Sequence, residues 1–512
     1  MTKQIKVLSL VLMLTGCSSP ALMQDDDLPP EARTGCRLLA GLSLENAKLT
    51  AADLITDRPD LPDFCQVDGI IATRIGFTLR FPAGSWNRKF MVAGCGGFCG
   101  ILLPEKPGHS NSINEALKLG FAAITTDGGH QAPSWDTDWA MKDTASLKLF
   151  AGAWMPLAVA TGKQLLQQFY DVEPHRTYFS GCSNGGRLAM MAAQRYPTLF
   201  DAIAGGGSIF DLSGNAGIHG LWLLQSTRDR NGRAVIDQNK MPLLQSAVNS
   251  QCDQLDGVSD GVISRPESCQ PRLDDLQCTS DEAIDCFTAT ELVSIKRLYQ
   301  GASLGGVQLY PGIPPGSESL WSRWVVGTDD DPAWGERAAT GNLRLIYGIP
   351  ASQPFNAHDY DLAQELKNVR RLAPMLDATN PDLSGFAKAG GKFFHYHGLA
   401  DPLILPGRTQ QYYEEAVTAL GKKRLDEFAR FIMVPGHGHC WEKPGQVADE
   451  FNPLQIIDQW VESGQAPDHV TAVKKDTSGR LILSRKLCPL PKVAQLKGKD
   501  DSRAESYECV NP

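Results

Sequence analysis

Short apolar runs alternate with longer helix-prone stretches through the N-terminal part of the chain. The runs at residues 76–81, 89–93 and 121–126 have the alternation and apolar content of β-strands, and residues 146–170 predict one long, mostly apolar helix. Another strand is predicted at residues 201–204, after a second helix-prone run. Strands that alternate with helices are typical of a parallel sheet covered by helices. The pattern therefore predicts an α/β fold.

This alternation is lost between residues 210 and 355, and it returns with predicted strands at residues 392–397 and 430–434. The intervening stretch is rich in turns and contains four tryptophans: Trp222, Trp321, Trp324 and Trp334. We interpret residues 210–355 as a lid domain inserted into the main domain. Its tryptophans either line a pocket for a flat substrate or form the core of a small domain, since Trp serves both purposes.

Residues 1–17 predict a targeting segment. Two lysines precede the apolar run at residues 7–14, which is far too short to span a bilayer. The segment ends at Cys17 and resembles a bacterial lipoprotein signal, whose cleavage leaves that cysteine as a lipidated N-terminus. An ordinary secretory signal with an incidental cysteine is the alternative. We expect an exported protein: an outer-membrane lipoprotein, or a periplasmic or extracellular one, with residues 18–35 as a solvated tether.

The formal net charge of −9 gives no electrostatic argument for a nucleic-acid partner. Thirteen cysteines leave an even twelve once Cys17 is set aside, as expected of an exported, oxidised protein. Their order suggests that neighbouring cysteines pair, with one long-range exception. Whether Cys95 and Cys99 are bridged stays open. The suggested pairs are Cys36–Cys65, Cys95–Cys99, Cys252–Cys269, Cys278–Cys286, Cys488–Cys509 and the long-range Cys182–Cys440.

The chemical signal around which the chain is organised is the sequence Gly181-Cys-Ser-Asn-Gly185. A predicted strand at residues 177–180 enters it and a helix-prone run at residues 187–195 leaves it, which is the setting of a G-x-S-x-G nucleophile elbow. The two glycines lack the side chains that would obstruct a strained turn, so Ser183 can project its hydroxyl. We interpret Ser183 as a nucleophile; an ordinary turn serine is the alternative.

A second cysteine adjoins a histidine near the C-terminal end, in the pair His439-Cys440. If Cys182 and Cys440 are bridged, the bridge holds His439 beside Ser183, where a general base has to lie. His437 is the rival base, and the adjacent Cys440 favours His439.

An acidic residue just past a late strand is the expected third member of such a triad. Asp401 follows a clearly predicted strand, and it would orient His439 and stabilise its imidazolium. The order Ser183, Asp401, His439 is the order found in α/β-hydrolases. Two competing acids, neither of which follows so clear a strand, are Asp359 and Asp361.

A glycine-rich stretch, residues 94–100, follows another predicted strand. It lacks the Gly-Lys-Ser/Thr sequence of a phosphate loop, so an oxyanion loop is the better interpretation. The backbone N–H groups of Asn184 and of Gly96 or Gly97, with Gly97 slightly preferred, would stabilise the oxyanion. His130, at the end of a predicted strand, either faces the site or is structural.

Three carboxylates in the lid, those of Asp253, Asp256 and Asp260, fall within eight residues and are separated by glycines. Such a density of oxygen ligands suits Ca²⁺, and the backbone carbonyls of Val258 and Val262 would complete the shell. The spacing is not that of an EF-hand. A solvated acidic turn is the alternative.

Taken together, these segments resemble the tannase and feruloyl esterase family. The resemblance is carried by GCSNGGR from Gly181, HGLADPLI from His397 and GHGHC from Gly436, and it covers essentially the whole mature chain. It implies an α/β-hydrolase fold with a large inserted lid and a Ser-His-Asp triad whose flanking cysteines are bridged. It also implies a calcium site in the lid with the ligand pattern Asp253, Asp256, Val258, Asp260 and Val262.

The expected organisation has five parts. They are a lipoprotein signal peptide (1–17), a tether (18–35), the first part of the catalytic domain (36–209), the lid with its calcium site (210–355) and the second part of the catalytic domain (356–512).

The resemblance implies serine hydrolysis of esters of aromatic carboxylic acids: gallates, hydroxycinnamates such as ferulates, or mono(2-hydroxyethyl) terephthalate. In the terephthalate branch an aromatic residue stands three positions after the triad aspartate. Ile404 occupies that position here, as on the tannase and feruloyl side, so we expect feruloyl or galloyl esters. The alternatives are terephthalate hydrolase activity, a peptidase or lipase, and a surface lipoprotein that binds aromatic ligands with an inactive triad. The expected partner is a small aromatic ester, with membrane contact only through the lipid on Cys17.

Overall fold

The computed structural model describes residues 30–106, 112–280, 285–440, 442, 447–448 and 450–512, with side chains from residue 35 onward. The predicted signal segment and Cys17 lie outside these ranges. The strands are β1 (Ala47–Ile55), β2 (Phe64–Ile71), β3 (Ile75–Pro82), β4 (Lys89–Ala93), β5 (Ala122–Thr126), β6 (Arg176–Cys182), β7 (Ala202–Gly206), β8 (Ser303–Leu304), β9 (Val307–Gln308), β10 (Lys392–Gly398), β11 (Ala429–Val434), β12 (Val470–Lys475), β13 (Leu481–Leu487), β14 (Val493–Leu496) and β15 (Tyr507–Val510).

The α-helices are distributed along the whole described chain. They are α1 (Pro30–Leu39), α2 (Asn114–Lys118), α3 (Asp138–Lys142), α4 (Thr144–Lys148), α5 (Met155–Tyr170), α6 (Asn184–Arg195), α7 (Gly220–Thr227), α8 (Met241–Cys252), α9 (Ala289–Gln300), α10 (Trp321–Trp324), α11 (Trp334–Tyr347), α12 (Leu362–Val369), α13 (Ala373–Leu376), α14 (Ser384–Lys388), α15 (Pro406–Leu420), α16 (Lys422–Asp426) and α17 (Pro453–Ser463).

The main sheet has nine strands in the order β1-β2-β3-β5-β4-β6-β7-β10-β11. The pairs β1–β2, β2–β3 and β3–β5 are antiparallel, whereas every pair from β5 across to β11 is parallel. Strand β6 therefore lies inside the parallel part, and the residues that follow β4, β6, β7 and β10 meet at one edge of the sheet. Ligand sites of open α/β sheets form at this carboxyl edge.

Successive residues of the central strands point into different apolar layers, as the pleat of a strand requires. In β4, Phe90 and Val92 pack into the layer that contains Leu165 of α5, while Met91 packs into the layer that contains Ile457 of α17. All five residues of β4 are buried, since helices cover both faces of the sheet. The predicted α/β fold is confirmed.

The chain between β7 and β10 leaves the main sheet and forms a second apolar core. This core contains Trp321 and Trp324, extends as far along the chain as Val369, and also takes in Leu403 and Ile404 from the loop after β10. The inserted region is therefore packed onto the carboxyl edge of the sheet. The exact boundaries of the lid domain stay a prediction.

The helix predicted over residues 146–170 is interrupted. Helix α4 ends at Lys148, a π-helical turn covers Leu149–Ala153, and α5 begins at Met155. The interruption lies at Gly152, whose φ of 118° is incompatible with a continuous α-helix. A single continuous helix was thus the wrong prediction here.

All six suggested disulfides are present. Their Cα–Cα distances range from 5.0 to 5.9 Å, and the pair left open, Cys95–Cys99, is bridged. Disulfides form and persist in oxidising compartments outside the cytoplasm, which supports export of the chain. Among the described residues, no helix combines the length and the apolar character needed to cross a membrane.

Candidate active site

Ser183 lies in a sharp turn between β6 and α6. Its φ of 64° and ψ of −122° are strained for a residue with a side chain. The turn is held by a hydrogen bond of 2.9 Å from the Ser183 N–H to the Gly206 carbonyl, and by one of 3.0 Å from the Arg187 N–H to the Ser183 carbonyl. The first bond ties the turn to the neighbouring strand β7, and the second begins the helix. Backbone strain of this kind is stored where a side chain has to be presented to a ligand.

The elbow requires a glycine at position 185 because α6 begins in direct contact with the end of β4. A Cβ atom on Gly185 would lie 2.8 Å from the Gly94 carbonyl oxygen, closer than such atoms approach in proteins. The small residue therefore brings the first turn of α6 against the loop after β4. This contact places Ser183 next to the glycine-rich stretch, residues 94–100.

Asp401 and His439 form a buried pair. His439 Nδ1 lies 2.7 Å from Asp401 Oδ2, and the backbone N–H groups of Leu403 and Ile404 each donate to Asp401 Oδ1 at 2.9 Å. Burial alone would raise the pKa of Asp401, but the facing His439 and the hydrogen bonds from His397 and His439 hold it below its usual range. The ionised carboxylate fixes the proton of His439 on Nδ1 and leaves Nε2 as an acceptor.

The disulfide between Cys182 and Cys440 joins the residue before Ser183 to the residue after His439, with 5.9 Å between the two Cα atoms. A methyl group added to Gly207 would lie 3.3 Å from Cys182 Sγ and 3.6 Å from both Asp401 Oδ2 and His439 Nδ1. The disulfide, the carboxylate and the imidazole therefore converge around one point beside the elbow.

The rival residues lie in other settings. His437 is buried and directs Nδ1 toward the Gly438 carbonyl at 2.8 Å, and desolvation lowers its pKa to about 4. Asp361 accepts hydrogen bonds from the first backbone N–H groups of α12, and Asp359 lines a separate surface cleft. His130 stacks on Trp139 with 3.4 Å between ring centroids, which favours a structural role. The structure thus pairs Asp401 with His439, and the Cys182–Cys440 disulfide joins the immediate neighbours of Ser183 and His439.

The glycine-rich stretch is fastened to the elbow through Asn184. The Asn184 side-chain amide donates to the Cys95 carbonyl at 3.1 Å and accepts a bond of 2.7 Å from Arg187 Nε. Gly97 has a φ of 58°, and a Cβ atom there would lie 2.6 Å from the Ser134 carbonyl oxygen. Within the described part of the chain, the backbone N–H groups of Gly97 and Asn184 have no hydrogen-bond partner. Both residues line the same cavity as Ser183.

This cavity and its opening to solvent together hold about 600 Å³ of empty space. Its walls come from the elbow, the glycine-rich stretch, the inserted region and the loop after β10, and they are mostly apolar. Ile404, which we expected in the substrate pocket, lines it. The two expected roles overlap: Trp222, Trp321 and Trp324 belong to the core of the inserted region and Trp334 packs against it, while Trp324 and Trp334 also line the cavity.

Two features near the site were missed in the sequence. Trp324 packs edge-on to His439, with 5.3 Å between ring centroids, and its Nε1 donates to the buried Glu442. Glu442 also pairs with Arg323 at 3.0 Å, and burial raises the pKa of its carboxyl. His219, at the end of a π-helical turn before α7, lines the cavity. In the sequence, the one indication of the Trp324–Glu442 contact is the charged Glu442, three positions after His439. No motif marks His219.

The acidic stretch predicted to bind calcium forms a tight loop. Asp256 Oδ1 and Asp260 Oδ1 accept the backbone N–H groups of Val258 and Val262 at 2.9 and 3.0 Å, and Arg485 donates to Asp260. Burial raises the pKa of Asp260, and the nearby Asp256 carboxylate raises it further. Across the described residues, no group of three or more His, Cys, Asp or Glu side chains is placed to hold a metal ion. The oxygen ligands are of the type that Ca²⁺ takes, but in this geometry their side chains do not converge.

Several known proteins are similar to this chain. Mono(2-hydroxyethyl) terephthalate hydrolase of Piscinibacter sakaiensis is 30% identical, over 90% of this chain and 87% of that protein. An uncharacterized esterase of Xanthomonas campestris is 29% identical, over 94% of this chain and 92% of its own length. The solved structure of feruloyl esterase B from Aspergillus oryzae has a TM-score of 0.81 at 25% identity, covering 94% of this chain and 100% of that one. Tannin acyl hydrolase from Aspergillus niger has a TM-score of 0.76 at 19% identity, covering 95% and 96%, and shows the same fold.

A sequence model of one family, described as tannase and feruloyl esterase, matches residues 62–510. This match includes the elbow, the Asp401–His439 pair and the inserted region. The α/β-hydrolase fold with a large insertion is likewise shared with the solved esterase structures. The chain is a carboxylic ester hydrolase and belongs to the tannase and feruloyl esterase family.

Proposed function

We propose that this chain is a serine esterase that hydrolyses esters of aromatic carboxylic acids, with feruloyl or other hydroxycinnamoyl groups, or galloyl groups, as the acyl part. One observation carries the proposal. The strained Ser183 turn and the Asp401–His439 pair are tied together by a disulfide, and Ser183 lines an apolar cavity.

In the first half of the reaction, Ser183 Oγ attacks the ester carbonyl while His439 Nε2 takes up its proton as general base. Asp401 keeps the other ring nitrogen protonated and stabilises the imidazolium that forms. His439 then gives the proton to the departing alcohol, which leaves an acyl group on Ser183. In the second half, His439 deprotonates a water molecule that attacks this acyl group, and the free acid departs as Ser183 recovers its proton.

Each attack places negative charge on the former carbonyl oxygen. The backbone N–H groups of Asn184 and Gly97 are the proposed oxyanion donors, because both residues line the cavity beside Ser183 and both N–H groups are free to bind a ligand. Their positions are preorganised by the Asn184 amide, which links the two segments. Removing one oxyanion donor from a hydrolase typically lowers kcat by about 10²–10³-fold.

The aromatic acyl group is proposed from the cavity. Its walls include the indoles of Trp324 and Trp334 and the ring of Phe150, which offer flat apolar surface to a flat ring. The similar proteins of known name include a feruloyl esterase, a tannin acyl hydrolase and a terephthalate monoester hydrolase. Ile404 in the wall favours the feruloyl and galloyl side, as argued from the sequence.

The test is the hydrolysis of methyl ferulate and methyl gallate by Ser183→Ala. We expect kcat to fall by about 10³-fold or more, because the nucleophile is removed. Ser180→Ala, which changes a buried serine of the same strand, is the matched control and should stay within about threefold of the wild type. Labelling of the wild type by a fluorophosphonate, lost in Ser183→Ala, checks the nucleophile directly. Hydrolysis by Ser183→Ala at the wild-type rate would remove Ser183 from the mechanism.

A second candidate activity is hydrolysis of mono(2-hydroxyethyl) terephthalate. It is favoured by the 30% identity to the Piscinibacter sakaiensis hydrolase over most of both chains. A side-by-side measurement of kcat/KM on ferulate, gallate and terephthalate esters decides between the two, and a higher value for the terephthalate ester would support the second candidate.

We further propose that the acidic loop binds Ca²⁺ as a structural ion, through Asp253, Asp256 and Asp260 and the carbonyls of Val258 and Val262. The support is the donor chemistry, since three carboxylates and two backbone carbonyls lie within residues 253–262. Their side chains would have to close around the ion. A ligand that binds only the folded state raises its stability, so we expect the Tm to rise with added Ca²⁺ and to fall with chelator. An unchanged Tm in the wild type would contradict the site.

The N-terminal segment is proposed to be a lipoprotein signal, with Cys17 as the lipidated residue. Expression in a bacterium with a labelled fatty acid tests this: the label should appear in the wild type and be absent from Cys17→Ser. Release of an unlabelled wild-type protein would instead support an ordinary secretory signal.

A further inference from the structure

The cavity beside Ser183 contains a buried histidine whose ring makes no hydrogen bond within the described chain. Besides Ser183 and the indole N–H groups of Trp324 and Trp334, the polar lining side chains are Asn184, Asn215 and His219. The two asparagines are engaged, since Asn184 bonds to the Cys95 carbonyl and Asn215 Nδ2 donates to the Leu403 carbonyl at 3.0 Å. The indole of Trp324 donates to Glu442, and Trp334 is only partly buried. Apart from the proposed nucleophile Ser183, His219 is therefore the buried polar side chain of the described lining that is left without such a bond.

His219 is held in place by packing alone. It is 2% exposed, its Nδ1 is buried, and neither ring nitrogen has a hydrogen-bond partner among the described residues. The nearest aromatic ring is that of Tyr310, with 6.1 Å between centroids. A buried imidazole without a hydrogen-bond partner lowers the stability of the folded chain. A bound ligand that supplies the missing hydrogen bond would offset this cost.

His219 reaches the cavity from a different segment of the chain than Ser183 and Gly97. The elbow and the glycine-rich stretch contribute Ser183 and Gly97, whereas His219 comes from the inserted region at the start of α7. Because Ser183 and His219 line the same cavity, an acyl ring lying between them would present a ring substituent, rather than the ester itself, to His219.

The protonation state of His219 determines which substituents of the acyl ring it can bind. Desolvation lowers the pKa of His219 to about 4, so the imidazole is neutral at pH 7. The described lining of the cavity contains no lysine and no arginine. A ring carboxylate would therefore be buried without a counter-charge, which is costly, whereas a phenolic hydroxyl can exchange a hydrogen bond with a neutral imidazole.

We propose that His219 is a specificity-determining residue that hydrogen-bonds a phenolic hydroxyl on the acyl ring of the substrate. The inference rests on the proposed esterase function and assigns to His219 the recognition of the ring hydroxyl that hydroxycinnamoyl and galloyl groups carry. Unsubstituted rings leave His219 unpaired in the complex, and rings with a carboxylate are disfavoured.

The experiment compares kcat/KM for methyl 4-hydroxycinnamate, methyl cinnamate and monomethyl terephthalate in wild type, His219→Phe and His219→Gln. We expect the wild type to prefer the hydroxycinnamate over the cinnamate by about 10-fold, the value of one hydrogen bond to a buried group. The ratio should fall to about 1 in His219→Phe, while His219→Gln, whose amide also donates and accepts, should keep part of it. Leu223→Met changes the same wall without a polar group and is the matched control for the ratio.

The outcomes separate the two proposals. A wild type that hydrolyses these esters with a ratio near 1, or a His219→Phe enzyme that keeps the wild-type ratio, overturns the role of His219 alone. A higher kcat/KM for monomethyl terephthalate in the wild type overturns it as well. A wild type that hydrolyses none of the esters overturns the proposed function, and the role of His219 with it. The Tm of each variant confirms that the ratio is measured on folded protein.

Discussion

Removal of the Cys182–Cys440 disulfide is expected to affect stability and catalysis together. The bridge closes a loop of 258 residues, and the chain-entropy relation gives about 5–6 kcal/mol of stabilisation for a loop of this length. The Cys36–Cys65 bridge spans only 29 residues, for which the same relation gives about 3–4 kcal/mol. The double variant Cys182→Ala/Cys440→Ala should therefore lose more unfolding free energy than Cys36→Ala/Cys65→Ala.

The two variants should differ more strongly in activity. Without the bridge, His439 is positioned only by Asp401 and by packing, and a misplacement of 1 Å in an active site can lower the rate by about 10²-fold. We expect kcat/KM on methyl ferulate to fall by about that factor in Cys182→Ala/Cys440→Ala. The variant that lacks Cys36–Cys65 should stay within about threefold of the wild type, since that bridge lies away from the cavity.

The assay is ester hydrolysis at a temperature where both double variants are folded, with denaturant unfolding to measure stability. If Cys182→Ala/Cys440→Ala retains activity within about threefold of the wild type, the bridge does not position His439. If both variants lose activity by the same factor, the loss reflects stability alone. Either result would refute the link between the disulfide and the base.

Three further outcomes follow from contacts in and near the site. Asp401→Asn should lower kcat by about 10³–10⁴-fold because His439 loses its fixed tautomer, and a loss under tenfold would contradict the pair's role. Asn184→Ala should lower stability by about 1–3 kcal/mol because the buried Arg187 loses a partner; an unchanged Tm would argue against this. Burial raises the pKa of Glu318 to about 7 from 4.5, so its contribution to stability falls as pH rises from about 4.5 to 7, by roughly 3 kcal/mol. Glu318→Gln should flatten the dependence of Tm on pH across this window, and an unaltered slope would show that other groups dominate.

The parts of the site that the sequence predicts are those whose residues lie close together along the chain. The elbow needs small residues within five positions, and Asp401 and His439 each follow a buried strand by a few residues. Such signals are local, because a strand end and a tight turn are set by neighbouring residues. The pairing of Cys182 with Cys440 could be predicted because each cysteine adjoins a residue with a recognisable chemical role.

Features set by tertiary packing could not be predicted in this way. His219 is left without a partner only because the inserted region, the loop after β10 and the elbow close around it. Strand β1 was missed because it lies at the sheet edge, where one of its nine residues is fully buried, and it carries no sustained apolar alternation. The interruption at Gly152 was missed since a single glycine inside an apolar run is compatible with a helix until packing against Met155 and Met191 is known.

The covalent bond beside the elbow also changes what a protease can do to this protein. The whole inserted region lies between Cys182 and Cys440 in the chain, so one cut anywhere within it produces two fragments that remain joined. Such a nicked molecule migrates as one species on a non-reducing gel and separates only after reduction. A proteolytic cut in the inserted region therefore leaves the two halves of the hydrolase covalently joined.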